Sequence, residues 1–569
     1  MDDFGWVFSS ERFDGSVEVG EELGSYWEGW ARGRLDDALR RAMDVQAGRE
    51  EFVEICKSET GVFSGVWWKQ SRVYVVTSRL GHLPVYLATS RSGRGHRVVG
   101  THVLRVANES GRSGDLDFVS VGELALFRRM TFPFTSHRGV KELRPGRVFE
   151  FEISGSGMQL LGETTYFEPF EPDIWPCVRE LRNELENACL ESGKELFGNG
   201  DSVDLLMSGG TDSRAILGVT RRIGQLDSIK PVTIAESGRK NRELKVASEV
   251  ARAVGVSLDI IERSRDHYFD GLDETIRIAG VEQSFTDAHL MGRYGDVCGA
   301  GKVVGGTGAD VLLKGFYQKK PLEVLMFEKV RGETDDVGFE ERVKNCYKKN
   351  PYIKQKVAYE ISKRQQDWVE EVKEIRPRTA EEWARFYPGS RRRAINFTIG
   401  NVRSFGDYRE FFLHRDIVEV ARKISPWDAR MRRVTAPVYN RLAGDLMGVQ
   451  DANSRLPAAA PWYLKVAYKL AGRARRAIGR KKAGRSLDDW TKVEGSWIAF
   501  SVFFRRHSKW KKLVGELEEI NRYIDRQIFG EGSGRGRRFG KKNRISQRQL
   551  ISQVSRGVDL TGSNEIPEG

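Results

Sequence analysis

The chain has 569 residues, 39% of them hydrophobic, enough for ordinary cores and, on length, for roughly two to four domains. The formal charge of +13 raises nucleic acid or an anionic membrane surface as partners, but much of the excess lies near the carboxyl end. Elsewhere acids and bases are well mixed, as on a solvated surface, so nucleic acid is not expected.

No run approaches the roughly 18 to 20 uninterrupted apolar residues of a bilayer span, and Met1-Asp2-Asp3 opens no signal pattern, so the expected location is the cytoplasm without a transmembrane segment. The five cysteines (Cys56, Cys177, Cys189, Cys298, Cys346) and eight histidines show no metal-ligand spacing and read as reduced thiols and packing residues.

In chain order, Cys56 sits in the periodic stretch EEFVEIC and is expected in a core. Residues 63–86 read as two strands around a turn at Gln70 and Ser71, and further strands are expected at 98–104, 147–153 and 158–161. Together they predict a mostly β unit ending near Tyr166 and Phe167. After an acidic, proline-containing connection, Val178, Leu181, Leu185, Cys189 and Leu196 have helical spacing.

The chain is organised around residues 203–217, VDLLMSGGTDSRAIL. Val203, Leu205, Leu206 and Met207 have the continuous apolar character of a strand covered on both faces. Ser208, Gly209 and Gly210 let backbone N–H groups approach a ligand, and a helix from Asp212 and Ser213 onward turns its N-terminal dipole to the same point. This is a phosphate site in outline, but neither GxxxxGK[ST] nor GxGxxG is present. Beyond it, strands are expected at 229–235, 258–262 and 302–305 with a helix at 241–254, the alternation of an α/β parallel sheet that binds ligands at its strands' carboxyl ends.

Three sets of motifs carry a resemblance. SGGTDS at 208–213 resembles the SGGxDS loop of PP-loop ATP pyrophosphatases, and VVGGTGADVLLKGFY at 303–317 resembles the SGEGxDExxxGY loop of asparagine synthetases and the related β-lactam-forming synthetases. FGDYREFFLHRDIVEVA at 405–421 is similar to GVExRxPFLDxxxVxxA beside that family's acceptor site. Upstream, RLGHLPVY at 79–86 and TSHRGVKELRPG at 135–146 look like segments of class II glutamine amidotransferase domains. The chain thus resembles the asparagine synthetase family, in which an Ntn-hydrolase-like β-rich domain precedes a PP-loop (adenine nucleotide alpha hydrolase-like) parallel-sheet domain. The expected domains are 1–170, 171–460 and a basic helical extension, 461–569, with a disordered end; within it, helical spacing at 497–528 is expected to pack on the synthetase domain.

The resemblance implies ATP and Mg²⁺ as cofactors. It places nucleotide at Leu206, Ser208, Gly209, Gly210, Thr211, Asp212, Ser213, Ile234, Gly306 and Gly308, with Leu206 and Gly306 against the adenine, and the metal on Asp212 and Asp310. Magnesium's preference for oxygen ligands and phosphates agrees with that pair. Three positions depart from the family or stand in for its residues. Thr307 replaces a loop glutamate and cannot act as a carboxylate base, Arg409 aligns with the acceptor-site arginine next to a substituted His414, and only Arg455 stands near the place of the lysine that stabilises the acyl-adenylate.

The amidotransferase nucleophile, a cysteine at position 1 or 2, has no counterpart in MDDFGWVF, nor has the NGEIYN segment, so a degenerate domain without glutaminase activity is expected. The resulting expectation is an ATP-dependent amide-forming ligase. It would join a small-molecule carboxylate, aspartate by default, to an amine or ammonia from a separate source, with room for a peptide source and for a homodimer. A lactam- or peptide-cyclising synthetase and a non-catalytic nucleotide-binding scaffold are the alternatives.

Overall fold

The computed structural model describes residues 7–9, 24–31, 35–44, 48–91, 96–154, 157–198, 200–236, 242–264, 266–282, 284, 301–317, 338–391, 396–451, 456–461, 464, 467, 468, 471, 508–529 and 541–561.

The amino-terminal part contains two antiparallel sheets. One has the order β1 (Val7–Ser9), β6 (Arg97–Gly100), β5 (Tyr86–Thr89), β7 (Val140–Glu142). The other has the order β2 (Gly24–Trp30), β3 (Val62–Lys69), β4 (Arg72–Val76), β8 (Arg147–Ser154), β9 (Gly157–Thr165). Strand alternation explains how they stack. On β3 and β4, Val66, Val73 and Val75 point to one face and meet Phe8, Val85 and Val99 of the first sheet. Trp67, Tyr74 and Val76 point to the other face and pack with Leu39 and Phe52 of the helices Leu35–Asp44 and Arg49–Ser58. On the far side of the first sheet, Tyr86, Ala88 and Val98 meet Leu104 and Leu124 of the helices Val103–Glu109 and Phe118–Phe127. The layer order is helix, sheet, sheet, helix.

Two expected strands are shorter than their sequence patterns. The run after Ser71 stops at Val76 and resumes at Tyr86. Between them Arg79 is buried, donating to the Glu59 carbonyl at 2.7 Å, and Gly81 takes φ +71° in a turn. The strand expected at 98–104 ends at Gly100, because Leu104, Val106 and Ala107 are buried at helical spacing instead.

The second part is a five-stranded sheet, parallel throughout, in the order β12 (Asp259–Arg263), β11 (Ile229–Glu236), β10 (Val203–Leu206), β13 (Lys302–Gly305), β14 (Asp407–Glu410). Val203 and Leu205 pack into a core with Leu181 and Leu185 of the helix Val178–Phe197, whereas Val232, Ile261, Val303 and Tyr408 form a core on the opposite face. The strand order reverses between β10 and β13, leaving a crevice at their carboxyl ends. The two glycine loops emerge there.

The two parts share a buried polar seam. Arg391 pairs with Glu142 and, at 3.5 Å, with Glu282, while Ser390 N–H donates to the Gly81 carbonyl at 2.7 Å. Burial pushes the Glu142 carboxyl up to about 7, against the opposing pull of Arg391.

The described part of the carboxyl-terminal region is helical: Ser508–Glu516, Glu518–Ile528 and Lys541–Leu560. As expected, its described part packs on the synthetase part, where Trp510, Ile524 and Ile528 share a core with Cys346, Ile353 and Val357, but it has a second neighbour as well. Ile524, Ile528, Leu550, Ile551 and Val554 share a core with the amino-terminal helix Phe118–Phe127 and with Leu272–Ala279. A Cβ placed on Gly122 of that helix would lie 3.1 Å from Ile528. Helical spacing specifies that one face is buried but not against which neighbour. The last of these helices runs to Leu560, and the final residues, expected to be disordered, lie outside the described residues. Residues 472–507 and 562–569, and most of 462–471, lie outside the described residues. Among the described residues no helix is long and apolar enough to cross a membrane.

Candidate active site

The central loop begins where β10 ends. Gly209 has φ +70°, and a Cβ there would stand 2.7 Å from the Ala247 nitrogen, so the loop is pressed against the helix Arg242–Ala253. Gly210 faces the other way, and a Cβ there would meet only the Ser208 hydroxyl, at 3.2 Å. The helix Thr211–Arg222 starts at Gly210 without a side-chain cap. Its first amides are therefore not taken up by a capping side chain, as an anion site requires. Ser208 N–H donates to Ser213 Oγ at 3.3 Å, and Gly210 N–H to Ser208 Oγ at 3.4 Å, which sets the turn's shape.

Arg214, one residue beyond the motif, holds the loop from behind. Its guanidinium donates to the carbonyls of Gly209 (3.0 Å), Leu446 (2.9 Å), Val449 (2.7 Å) and Gln450 (2.7 Å). Burial lowers its pKa only to about 10, so it stays charged at neutral pH. The clamp fixes the loop to the segment leading to Arg455, which lies outside the described residues.

Asp212 occupies the first helical turn. One oxygen, Oδ2, accepts from Lys314 Nζ at 2.6 Å. The other, Oδ1, is buried, as is the Tyr439 hydroxyl, which is the group placed to hydrogen-bond Asp212. Tyr439 is near enough that burial, aided by the Asp212 charge, raises its phenol well above the usual range. A carboxylate beside an uncapped helix start fits a divalent cation accompanied by phosphate. Asp310 lies half-buried in the first turn of the short helix Ala309–Leu312, at the end of the second loop. Among the described residues no group of three or more His, Cys, Asp or Glu side chains forms a metal cluster. A two-aspartate site would therefore depend on phosphate or water for its remaining ligands.

Leu206, Ile234 and Gly306 lie half-exposed at the carboxyl ends of β10, β11 and β13. A Cβ on Gly306 would stand 3.2 Å from Ile216, so the second loop touches the helix that follows the first. Thr211 is half-exposed, and Gly308 adopts φ +99° against Leu413.

Thr307 is not the isolated hydroxyl that its sequence position suggests. Its N–H donates to Glu410 Oε2 at 2.9 Å and its hydroxyl bonds to Glu410 Oε1, which also accepts from Tyr408 (2.6 Å) and Thr398 (3.2 Å). Glu410 is 1% exposed. A carboxylate thus stands behind the loop after all, brought by β14, whose Glu410 pairs in register with Gly305. Replacing Glu410 by leucine leaves the Thr307 amide without its buried acceptor. The expected loss is about 3 kcal/mol of stability, read as a lower urea midpoint, with glutamine costing less because it keeps one acceptor.

Arg409 is on the opposite face of β14, where its guanidinium grips Asp407 at 2.7 and 3.1 Å. His414 caps the helix Arg415–Ala421 and faces Glu195 at 3.2 Å. Cys56 is fully buried, and burial pushes its thiol far up, which makes it a core residue and not a nucleophile. Lys314, Glu410 and Arg214 were not singled out by sequence reasoning. A lysine within a glycine loop and an acid within an apolar FFL segment were the available signals.

Residues 200–477 match the family model described as asparagine synthase. No protein with a curated description matches the chain. Among solved structures, the glutamine phosphoribosylpyrophosphate amidotransferase from B. subtilis, complexed with ADP and GMP, is 10% identical over 46% of this chain and 63% of that chain, with a TM-score of 0.16. The glutamine-dependent NAD+ synthetase from Acinetobacter baumannii, in complex with ADP, is 14% identical over 46% and 60%, with a TM-score of 0.18. A structure described as the allosteric regulatory enzyme of purine biosynthesis is 10% identical over 42% and 60%, with a TM-score of 0.17. The matches span 60 to 63% of these three chains.

Proposed function

We propose that the protein, whose residues 200–477 match the asparagine synthase family model, is an ATP-dependent amide-forming ligase that activates a carboxylate as its acyl-adenylate. The observation that carries this reading is the Asp212 corner. An uncapped helix start, two glycines with opposite roles and a half-buried aspartate held by Lys314 meet at the sheet's switch point. In this reading the first loop holds the polyphosphate through its backbone amides, and Leu206, Ile234 and Gly306 receive the adenine.

Asp212 and Asp310 would hold Mg²⁺, which when bound neutralises phosphate charge. The chain's own contribution to adenylation is alignment: a carboxylate held in line with the alpha phosphate displaces pyrophosphate. An amine then attacks the acyl carbon and AMP leaves. Thr307, oriented by Glu410, lies at the mouth of the second loop and is the candidate to position that amine. Arg455 remains a candidate cation near the adenylate, and Arg409 an acceptor-side residue once released from Asp407.

Aspartate is the default substrate. The Thr307 substitution and the burial of Cys56 also suit another carboxylate, closed into a lactam or peptide ring, with nitrogen not supplied by glutamine hydrolysis. The domain limits 1–170, 171–460 and 461–569 are part of this proposal, as is a cytoplasmic enzyme.

The test is pyrophosphate release from ATP and Mg²⁺ across a panel of carboxylates that includes aspartate. Release dependent on one carboxylate is expected. Nucleotide binding without release for any member would favour the non-catalytic scaffold.

A further inference from the structure

We propose that Lys314 is a phosphate-binding residue of this site: its ammonium neutralises Asp212 while the site is empty and passes to the ATP polyphosphate when Mg²⁺ takes that carboxylate. The proposal rests on the ATP-site reading above.

Three observations carry it. First, the lysine comes from the second glycine loop and spans the crevice to the first, ending 2.6 Å from Asp212 with its side chain only 12% exposed. Burying a flexible, strongly hydrated cation at this point costs free energy unless an anion repays it, and here the anion belongs to the candidate nucleotide corner.

Second, an ammonium has three donors, and the bond to Asp212 uses one of them. Its other two have no partner among the described residues. They are available to the oxygens that the uncapped helix start is placed to receive.

Third, the two arginines named above are already committed. Arg214 is spent on four backbone carbonyls and Arg409 on Asp407. Lys314 is the described cation in direct contact with the metal-candidate carboxylate, and it needs to exchange only one bond to turn toward phosphate. A point-charge ammonium on a flexible stem suits such an exchange better than a planar fork.

The exchange gives opposite signs for two equilibria. Lys314→Ala should weaken ATP binding by about 10- to 100-fold, the range for one lost charge-assisted contact. It should also tighten binding of Mn²⁺ alone, because Asp212 loses its internal competitor. Lys314→Arg should keep ATP binding within a few-fold, and Lys314→Met, which preserves the aliphatic stem, serves if alanine impairs folding.

The experiment measures ATP binding by calorimetry and Mn²⁺ binding by electron paramagnetic resonance on the full chain, without any carboxylate substrate. ATP affinity unchanged in both the alanine and methionine variants, with the wild type binding normally, would overturn the role of Lys314 alone. A wild-type chain that binds no ATP would overturn the ATP-site reading and this proposal with it.

Discussion

Replacing Asp212 by alanine is expected to cut carboxylate-dependent pyrophosphate release by about 10³-fold or more, on the order of 4 kcal/mol in barrier height. The reason is its position. It stands in the first turn of an uncapped helix, one oxygen held by Lys314 and the other buried beside the Tyr439 hydroxyl. Loss of this carboxylate removes a candidate metal ligand from the point where the phosphate charge must be neutralised.

ATP itself should still bind to the alanine variant, because the backbone amides remain and Lys314 is released to face the phosphates. The separation of binding from turnover is the readout. Equal release by wild type and variant in the presence of Mg²⁺ would contradict the assignment.

Replacing Gly209 by valine is expected to be the most damaging single change in the loop. A side chain at φ +70° costs about 1 kcal/mol by itself. Here its Cβ would also stand 2.7 Å from the Ala247 nitrogen and 3.0 Å from its Cα, and a helix backbone cannot step aside as a side-chain tip can. The summed cost is about 2–4 kcal/mol, visible as a lower melting temperature, together with loss of ATP binding because the turn must open.

Gly210→Ala is the control. Its Cβ meets only the Ser208 hydroxyl, so the fold should be kept while access to the amides is reduced. If the valine and alanine variants proved equally stable, the opposite roles assigned to the two glycines would be wrong.

Much of this site was legible because its signals are local. A short apolar run followed by small residues and a helical pattern specifies strand, turn and helix within one segment, and these appear as β10 and the helix Thr211–Arg222. The strands near 229–235, 258–262 and 302–305 and the helix near 178–196 were readable for the same reason. Where local pattern misled, a long-range contact had intervened. Arg79 is buried against the carbonyls of Glu59 and Cys56, and the strand that would have run through it is interrupted.

By itself the sequence determined the order of elements, the two glycine loops and the family resemblance, since periodicity and motif spacing are properties of neighbouring residues. Tertiary structure alone decided which charges meet. Lys314 reaches Asp212 from 102 residues away, and Glu410 reaches Thr307 from 103. Tertiary structure also decided that the carboxyl-terminal helices lie on Phe118–Phe127. Strand order and helix packing set these meetings, through hydrogen-bond geometry and burial, and no local pattern encodes which distant segment will complete a site.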